Sequence, residues 1–291
     1  MEIFLQLVVA GLAMGSIYGL VALGFVLLVN AANIINFAQG EFVMVGAFLV
    51  FSFTTLWKIP FPLSVVLAVV VMALFGILVE RVAYRPLRNT NVVTIIVSTL
   101  GISVFLQNAA LLIWGAVPEP FTEPFGRQMW AVGGVRLVPQ YILILGATCA
   151  LVVLQHLFFH RTRTGKMMRA AAQDRDMAQI LGIDISQVTA LTFSLAAALG
   201  GLAGILVAPI FSISVVMGVM LGLKAFVASI IGGWGSIPGA LVGGITLGLI
   251  ETLGAAYISS LYKDVFAFLV LIVFLIVLPR GIFGEAVAEK V

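Results

Sequence analysis

Few residues in this chain could do chemistry inside a membrane. Glu41, Lys224 and Glu251 are the ionisable ones set within long apolar stretches. A carboxylate at the centre of a spanning helix costs ~2.5 to 3.5 kcal/mol on insertion scales, so such a group faces a cavity, a partner or the interface. Intramembrane ionisable residues also carry gradient coupling in secondary transporters, which makes these three the candidates for that chemistry. Near Glu41, the polar residues Asn30, Asn33, Asn36 and Gln39 interrupt the apolar pattern. That stretch reads either as a broken helix start lining a pathway or as a turn on the cytoplasmic side. The candidate pathway residues are therefore Asn33, Asn36, Gln39, Glu41, Lys224 and Glu251.

Other chemistries are poorly supplied. His156 and His160 stand at a chelating i, i+4 spacing without a third ligand nearby, and they read as interfacial residues. Cys149 is the single cysteine, so no intrachain disulfide can form. Gly165-Lys166 lacks both the first glycine and the hydroxyl of a G-x-x-x-x-G-K-[ST] phosphate loop, so the chain is not expected to hydrolyse ATP by itself. No Ser-His-Asp set or metal cluster argues for a membrane enzyme.

The elements that must position these residues follow from composition. The 291 residues are 62% hydrophobic and 9% charged with a mean hydropathy of +1.22, whereas soluble domains carry about 25% charged residues. Dividing by the ~20 residues of a spanning helix gives an all-α polytopic membrane protein. About nine transmembrane helices are expected, within a range of eight to ten, in a single domain over 1–291. The net charge of +3 sits beside membrane segments, which indicates topology rather than nucleic-acid binding.

The first span, about 5–29, carries Gly11, Gly15 and Gly19 on one helical face, the small-residue geometry for close packing. Only Glu2 precedes it as a charge, so it lacks the basic start of a signal peptide and is expected to be retained. Further spans follow to about 56, at 61–79, 91–114, 138–159 and 188–210. Gln107 and Asn108 lie in the fourth, as packing glue or as part of a polar path. Between Gly218 and Gly244, short apolar pieces broken by Gly and Pro predict discontinuous or re-entrant helices, which survive in a membrane only under protein or beside a watery cavity. The eighth span carries Glu251 and the last runs over about 265–278. A faint correspondence links 37–49 with 234–247, as in transporters built from two related halves.

Charge sets the expected orientation. Arg81, Arg85 and Arg88, and again Arg161, Arg163, Lys166, Arg169 and Arg175, mark cytoplasmic loops. The loop over about 115–138 balances Glu119 and Glu123 against Arg127 and Arg136, while Pro118, Pro120 and Pro124 forbid a regular helix, as suits the outer face. Nine crossings give an outside N-terminus and a cytoplasmic C-terminus.

One long polar segment remains, TGKMMRAAAQDRDMAQILGI over 164–183, inside a cytoplasmic loop of about 160–186. It predicts a helix of about five turns, capped by Thr164 and stopped by Gly182. Met167, Ala171, Ala178 and Leu181 recur near helical spacing, with Arg169, Gln173 and Asp176 elsewhere. A solvated connector is the alternative reading.

The run Arg169, Ala171, Ala172, Asp174, Ala178, Leu181, Gly182 and Ile183 resembles the coupling loop of ABC-importer permeases, an Ala-rich helix followed by a glycine that docks on the ATPase subunit. It is most similar to the LivH type of branched-chain amino acid permease, and NIINFAQGEFVMVGAF from Asn33 and GLKAFVASIIGGWGSIPGALVGG from Gly222 extend the likeness over nearly the whole chain. The resemblance implies a non-catalytic permease subunit in a bacterial plasma (inner) membrane. Its implied partners are a second permease, identical or related, two cytoplasmic ATPases that bind ATP and Mg, an external substrate-binding protein that the 115–138 loop helps receive, and membrane lipid. The implied coupling residues are Arg169, Ala171, Ala172, Asp174, Ala178, Leu181 and Gly182. The implied cargo is a branched-chain or other apolar amino acid; similar permeases carry urea or short amides, and an ATP-independent secondary transporter or channel is the alternative mechanism.

Overall fold

The computed structural model describes residues 2–32, 34–88, 90–121, 130–132 and 135–284. Asn33 lies outside the described residues, as do Glu123, Pro124 and Arg127 of the 115–138 loop. The helices are α1 (Glu2–Ala32), α2 (Gln39–Phe51), α3 (Phe61–Val79), α4 (Val92–Trp114), α5 (Pro139–Arg161), α6 (Arg163–Gln173), α7 (Arg175–Ile180), α8 (Ile185–Val207), α9 (Met217–Gly232), α10 (Ile237–Tyr257) and α11 (Lys263–Val277). A short antiparallel pair, β1 (Trp130–Val132) and β2 (Val135–Leu137), sits between α4 and α5 with Trp130 opposite Leu137 and Val132 opposite Val135. Eight helical stretches among the described residues are long and apolar enough to cross a membrane. The polytopic all-α expectation therefore holds, and the count of about nine includes α9. With 16 residues, α9 is ~24 Å long, short of a ~30 Å hydrocarbon core.

α1 runs through the centre, with α8, α9 and α10 packed around it, while α4, α5 and α11 lie outermost with mostly exposed apolar side chains. Lipid tails are as apolar as leucine, so these helices associate through close van der Waals fit rather than through a hydrophobic drive. The glycines at positions 11, 15 and 19 supply that fit against α10: a Cβ on Gly15 would stand 2.6 Å from the Ile245 Cα, and one on Gly248 would meet the Gly15 backbone. On the other side, Gly46 of α2 meets the backbone of Gly201 on α8, and Gly204 meets the Val43 carbonyl.

Two helices begin inside the fold rather than at its ends. After α1 the chain turns back along it, so that the Gln39 amide lies against Gly24, eight residues before the end of that helix. After α8 the chain turns back again, pinned by paired backbone hydrogen bonds of 2.9 Å between Glu119 and Ile213, and α9 then starts at Met217. The starts of α2 and α9 touch: a Cβ on Gly218 would lie 2.7 Å from the Gly40 carbonyl oxygen, and one on Gly40 would meet the Gly218 carbonyl. Each short helix thus follows a long helix and a non-helical turn, and α9 is the positional counterpart of α2. The stretch 234–247 instead forms the start of α10, an ordinary capped helix in which Ser236 Oγ accepts from the Gly239 N–H at 3.1 Å and Pro238 lies in the first turn.

The polar loop departs from the single five-turn helix expected of it. Thr162, not Thr164, caps α6 by accepting from the Gly165 N–H at 3.0 Å. The helix then breaks at Asp174, whose extended backbone (φ −154°) frees its carboxylate to accept from the Met177 N–H at 2.9 Å and start α7. Aspartate competes for backbone donors in this way, which makes it a better cap than a helix-interior residue. Gly182 ends α7 as expected, with a positive φ of 83° and a hydrogen bond from the Ile183 N–H back to the Ala178 carbonyl.

Gly15→Val should lower the thermal unfolding temperature of the purified protein by several degrees, since overpacking a closed contact costs about 1–3 kcal/mol. Gly101→Ala, in the interior of α4 with nothing within 4 Å of its added Cβ, should leave it unchanged or raise it slightly. Equal effects of the two would remove the close-packing role assigned to the α1 glycines.

Candidate functional site

Glu41 sits in the first turn of α2 and is 1% exposed. Its Oε1 accepts from Ser103 Oγ at 2.8 Å and from Gln107 Nε2 at 2.9 Å, both on α4. Its Oε2 has no hydrogen-bond partner and lies against the Gly218 Cα, where an added Cβ would stand 2.8 Å away. Glu41, Ser103, Gly218 and Gly222 form part of the wall of a cavity of about 80 Å³ whose other walls include Phe25, Phe37, Leu100, Val219, Leu223 and Phe226. Phe226 is in ring contact with both Phe25 and Phe37, at centroid distances of 5.8 and 5.5 Å. The result is a carboxylate with one free acceptor in an aromatic and aliphatic enclosure.

The remaining candidates of the first half stitch the non-helical turn to its neighbours. Gln39 is fully buried and donates through Nε2 to the Ala196 carbonyl at 2.9 Å. Asn36 Oδ1 accepts from the Ala38 N–H at 3.1 Å, and the Phe37 N–H is taken by Thr99 Oγ1 at 3.2 Å. Non-helical backbone at membrane depth must find such partners.

Lys224 and Glu251 are brought together, but away from Glu41. Lys224 Nζ on α9 lies 2.7 Å from Glu251 Oε1 on α10 and 2.7 Å from Asp264 Oδ1 at the start of α11. Lys263 Nζ reaches the same Glu251 oxygen at 3.3 Å, and the Lys224 ammonium stands over the Tyr18 ring at 5.8 Å. With two cations and two anions, the set is neutral and joins α9, α10 and α11, and the Tyr18 ring adds α1. Each charge is answered by an opposite one, so the set fixes helix positions more readily than it carries an ion.

On the polar loop, Met168, Ala171 and Ala178 are buried against the body of the chain, in one cluster with residues of α1 and α8. Arg169, Ala172, Asp174, Leu181 and Gly182 are exposed. Met177, Ile180 and Leu181 present apolar side chains on α7 and the turn after it, with Ile180 78% and Leu181 73% exposed. Beside them a polar recess of about 860 Å³ is lined by Glu80, Arg81, Arg85, Arg88, Arg175 and Gln179, among others.

His156 and His160 stack at 4.0 Å, and among the described residues no group of three His, Cys, Asp or Glu side chains is arranged to hold a metal ion.

A family model described as branched-chain amino acid transport system / permease component matches residues 7–275. The chain belongs to this permease family. It is 37% identical to the high-affinity branched-chain amino acid transport system permease protein LivH of Escherichia coli K12, over 99% of this chain and 98% of that one. It is 39% identical, with the same coverage, to the corresponding BraD protein of Pseudomonas aeruginosa. The ribose import permease RbsC of Escherichia coli K12 is 29% identical over 55% of this chain. Among solved structures, PsaBC from Streptococcus pneumoniae, in complex with a Fab, shares the fold with a TM-score of 0.53 at 15% identity, covering 96% of this chain and 92% of that one.

This permease is thus a multi-pass membrane protein of a transport system. Sequence reasoning did not pair Glu41 with α4, although Ser103 and Gln107 stand at i, i+4 and Gln107 was conspicuous as an amide in an apolar span. It also passed over Asp264 and Lys263, which the start of the last span hides among ordinary interface charges.

Lys224→Met in the permease should destabilise it by about 3 kcal/mol, because Glu251 loses its nearer cation and keeps only Lys263, at 3.3 Å, as a charged partner. The double change Lys224→Met with Glu251→Met should recover most of that loss. Thermal unfolding in detergent measures both, and a double variant no better than the single would break the case for a neutralising pair.

Proposed function

We propose that this chain is a transmembrane subunit of a binding-protein-dependent ABC importer that moves branched-chain or other apolar amino acids by alternating access. The observation that carries this reading is the likeness to LivH and BraD over nearly the full length, at 37–39% identity. In this assembly it pairs with a second permease, two cytoplasmic ATPases and an external binding protein. ATP and Mg belong to the ATPases, and the permease itself catalyses nothing. The membrane is the bacterial inner membrane, with the N-terminus outside and the C-terminus in the cytoplasm.

The polar loop is the ATPase contact in this reading. α7 offers what a docking surface needs, an apolar centre at Met177, Ile180 and Leu181 beside arginines at 81, 85 and 88. Ala171 and Ala178 face inward, so their small size brings the loop close to the permease body and leaves partner contact to the exposed residues. The paired state of Lys224 and Glu251 removes those two residues from the groups free to exchange an ion in a gradient-driven carrier.

Gly182→Trp would strain its own left-handed turn (φ 83°), so Leu181→Arg is the cleaner probe of docking. It should leave the yield of inserted permease intact. Retention of the ATPase on purification, and leucine uptake by the full complex, should fall about tenfold or more, the size expected for a residue near the centre of an interface. Unchanged retention would rule out this face. Concentration of leucine by the permease alone in liposomes would overturn the importer reading altogether.

A further inference from the structure

We propose that Glu41 is the ammonium receptor of an intramembrane binding site for apolar amino acids, built where the starts of α2 and α9 meet. The inference rests on the importer reading and names the atoms that handle its cargo.

Three observations converge on this site. The first is an incomplete hydrogen-bond account. Ser103 and Gln107 satisfy Oε1, while Oε2 is buried without a partner, and a buried polar atom left unpaired calls for an occupant. The second is charge. Glu41 stands in the first turn of its own helix and against Gly218, in the first turn of α9. Two helix N-termini favour negative charge at that point. An ammonium group answers a carboxylate with three donors and no acceptor, and the charge-assisted bond it makes is the stronger kind.

The third is the wall. Phe25, Phe37 and Phe226 with Leu100, Val219 and Leu223 offer the cavity no second carboxylate. This lining suits an aliphatic side chain or the flank of a small organic cation better than a metal ion, which asks for several oxygen ligands. At about 80 Å³ the space equals only a few waters at ~30 Å³ each. It therefore takes the ammonium end and part of the carbon chain. The rest of the ligand extends past Leu100 and Leu223, which are 48% and 37% exposed on the outer rim. Since Gly218 covers Oε2, small movements of α9 against α2 expose or hide the receptor atom.

The test uses the assembled, nucleotide-free complex of permeases and ATPases, without the binding protein. Two probes split the amino acid: L-leucinamide keeps the ammonium and lacks the carboxylate, and 4-methylpentanoate keeps the carboxylate and lacks the ammonium. L-Leucine and L-leucinamide should each raise the unfolding temperature by about 2 °C or more at saturation, and 4-methylpentanoate should not. Glu41→Gln, which preserves the bonds to Ser103 and Gln107, should abolish the leucinamide shift, and Glu41→Asp should restore part of it. In proteoliposomes completed with the binding protein, Glu41→Gln should reduce leucine uptake about tenfold to a hundredfold, as for one charge-assisted bond.

Equal shifts with both probes, no shift with any of the three, or a leucinamide shift that survives Glu41→Gln would overturn the assignment. None of these touches the importer reading as long as the wild-type complex takes up leucine. Failure of that uptake overturns the importer reading instead.

Discussion

A helix that begins at membrane depth exposes the unpaired N–H groups of its first turn where no water can satisfy them. This fold contains two such starts, at Gln39 and at Met217, and sets them against each other. Contact through Gly40, Gly218 and Gly222 brings backbone onto backbone, so each start is covered by the other rather than by lipid. Any side chain at these positions would hold the helices apart. The turn that leads into α2 is then secured by borrowed partners, with Thr99 accepting from Phe37 and Asn36 accepting from Ala38. Most of the polar residues between 30 and 41 serve this purpose. Glu41 differs in that its partners lie on α4 and the atom left over is a carboxylate oxygen.

The long helices exist to hold this junction still. α1 carries its glycine stripe against α10, and α8 carries Gly201 and Gly204 against α2, so both flanks are fixed by shape rather than by sticky contacts. Shape-matched helix pairs have few alternative registers, because a shift of one residue puts a side chain where a glycine stood. The ion set around Lys224 and Glu251 adds a directional constraint at the junction of α9, α10 and α11. Together they define the position of α9, whose first turn carries the residue that covers Glu41.

How much of this was legible in the sequence depended on whether the signal was local. Span limits were read to within a few residues, since hydropathy is a running property: 61–79 was met by Phe61–Val79 and 91–114 by Val92–Trp114. The glycine spacing in α1 announced a packing face, whereas the region from Gly218, expected to be discontinuous, forms one short unbroken helix, α9, a turn, and then α10. Partner identity was not legible. Nothing in the order of residues says that Glu41 meets Ser103 and Gln107, or that Lys224 meets Asp264, because those contacts depend on how helices far apart in sequence are placed. The polar loop erred in the other direction. Good helix formers ran across Asp174, and the competing preference of aspartate for a cap position divided the helix there.

That division bears on how force applied to the loop would travel. α6 is anchored by Met168 and Ala171 against α1 and α8, whereas α7 presents Ile180 and Leu181 to the outside beyond the Asp174 break. A partner gripping α7 therefore pulls on a short lever whose fulcrum is bonded into the permease core. Close-packed interiors do not absorb such displacement continuously, so movement of α6 must be shared with the helices beneath it. α8 is one of these, and its Ala196 carbonyl holds Gln39, two residues before Glu41. The last turn of α1 is likewise tied to the turn before α10, through Asn30 Nδ2 donating to the Gly235 carbonyl at 2.8 Å. Contact thus runs from α6 through α8 to Gln39 and the start of α2, where Gly40 meets Gly218 of α9.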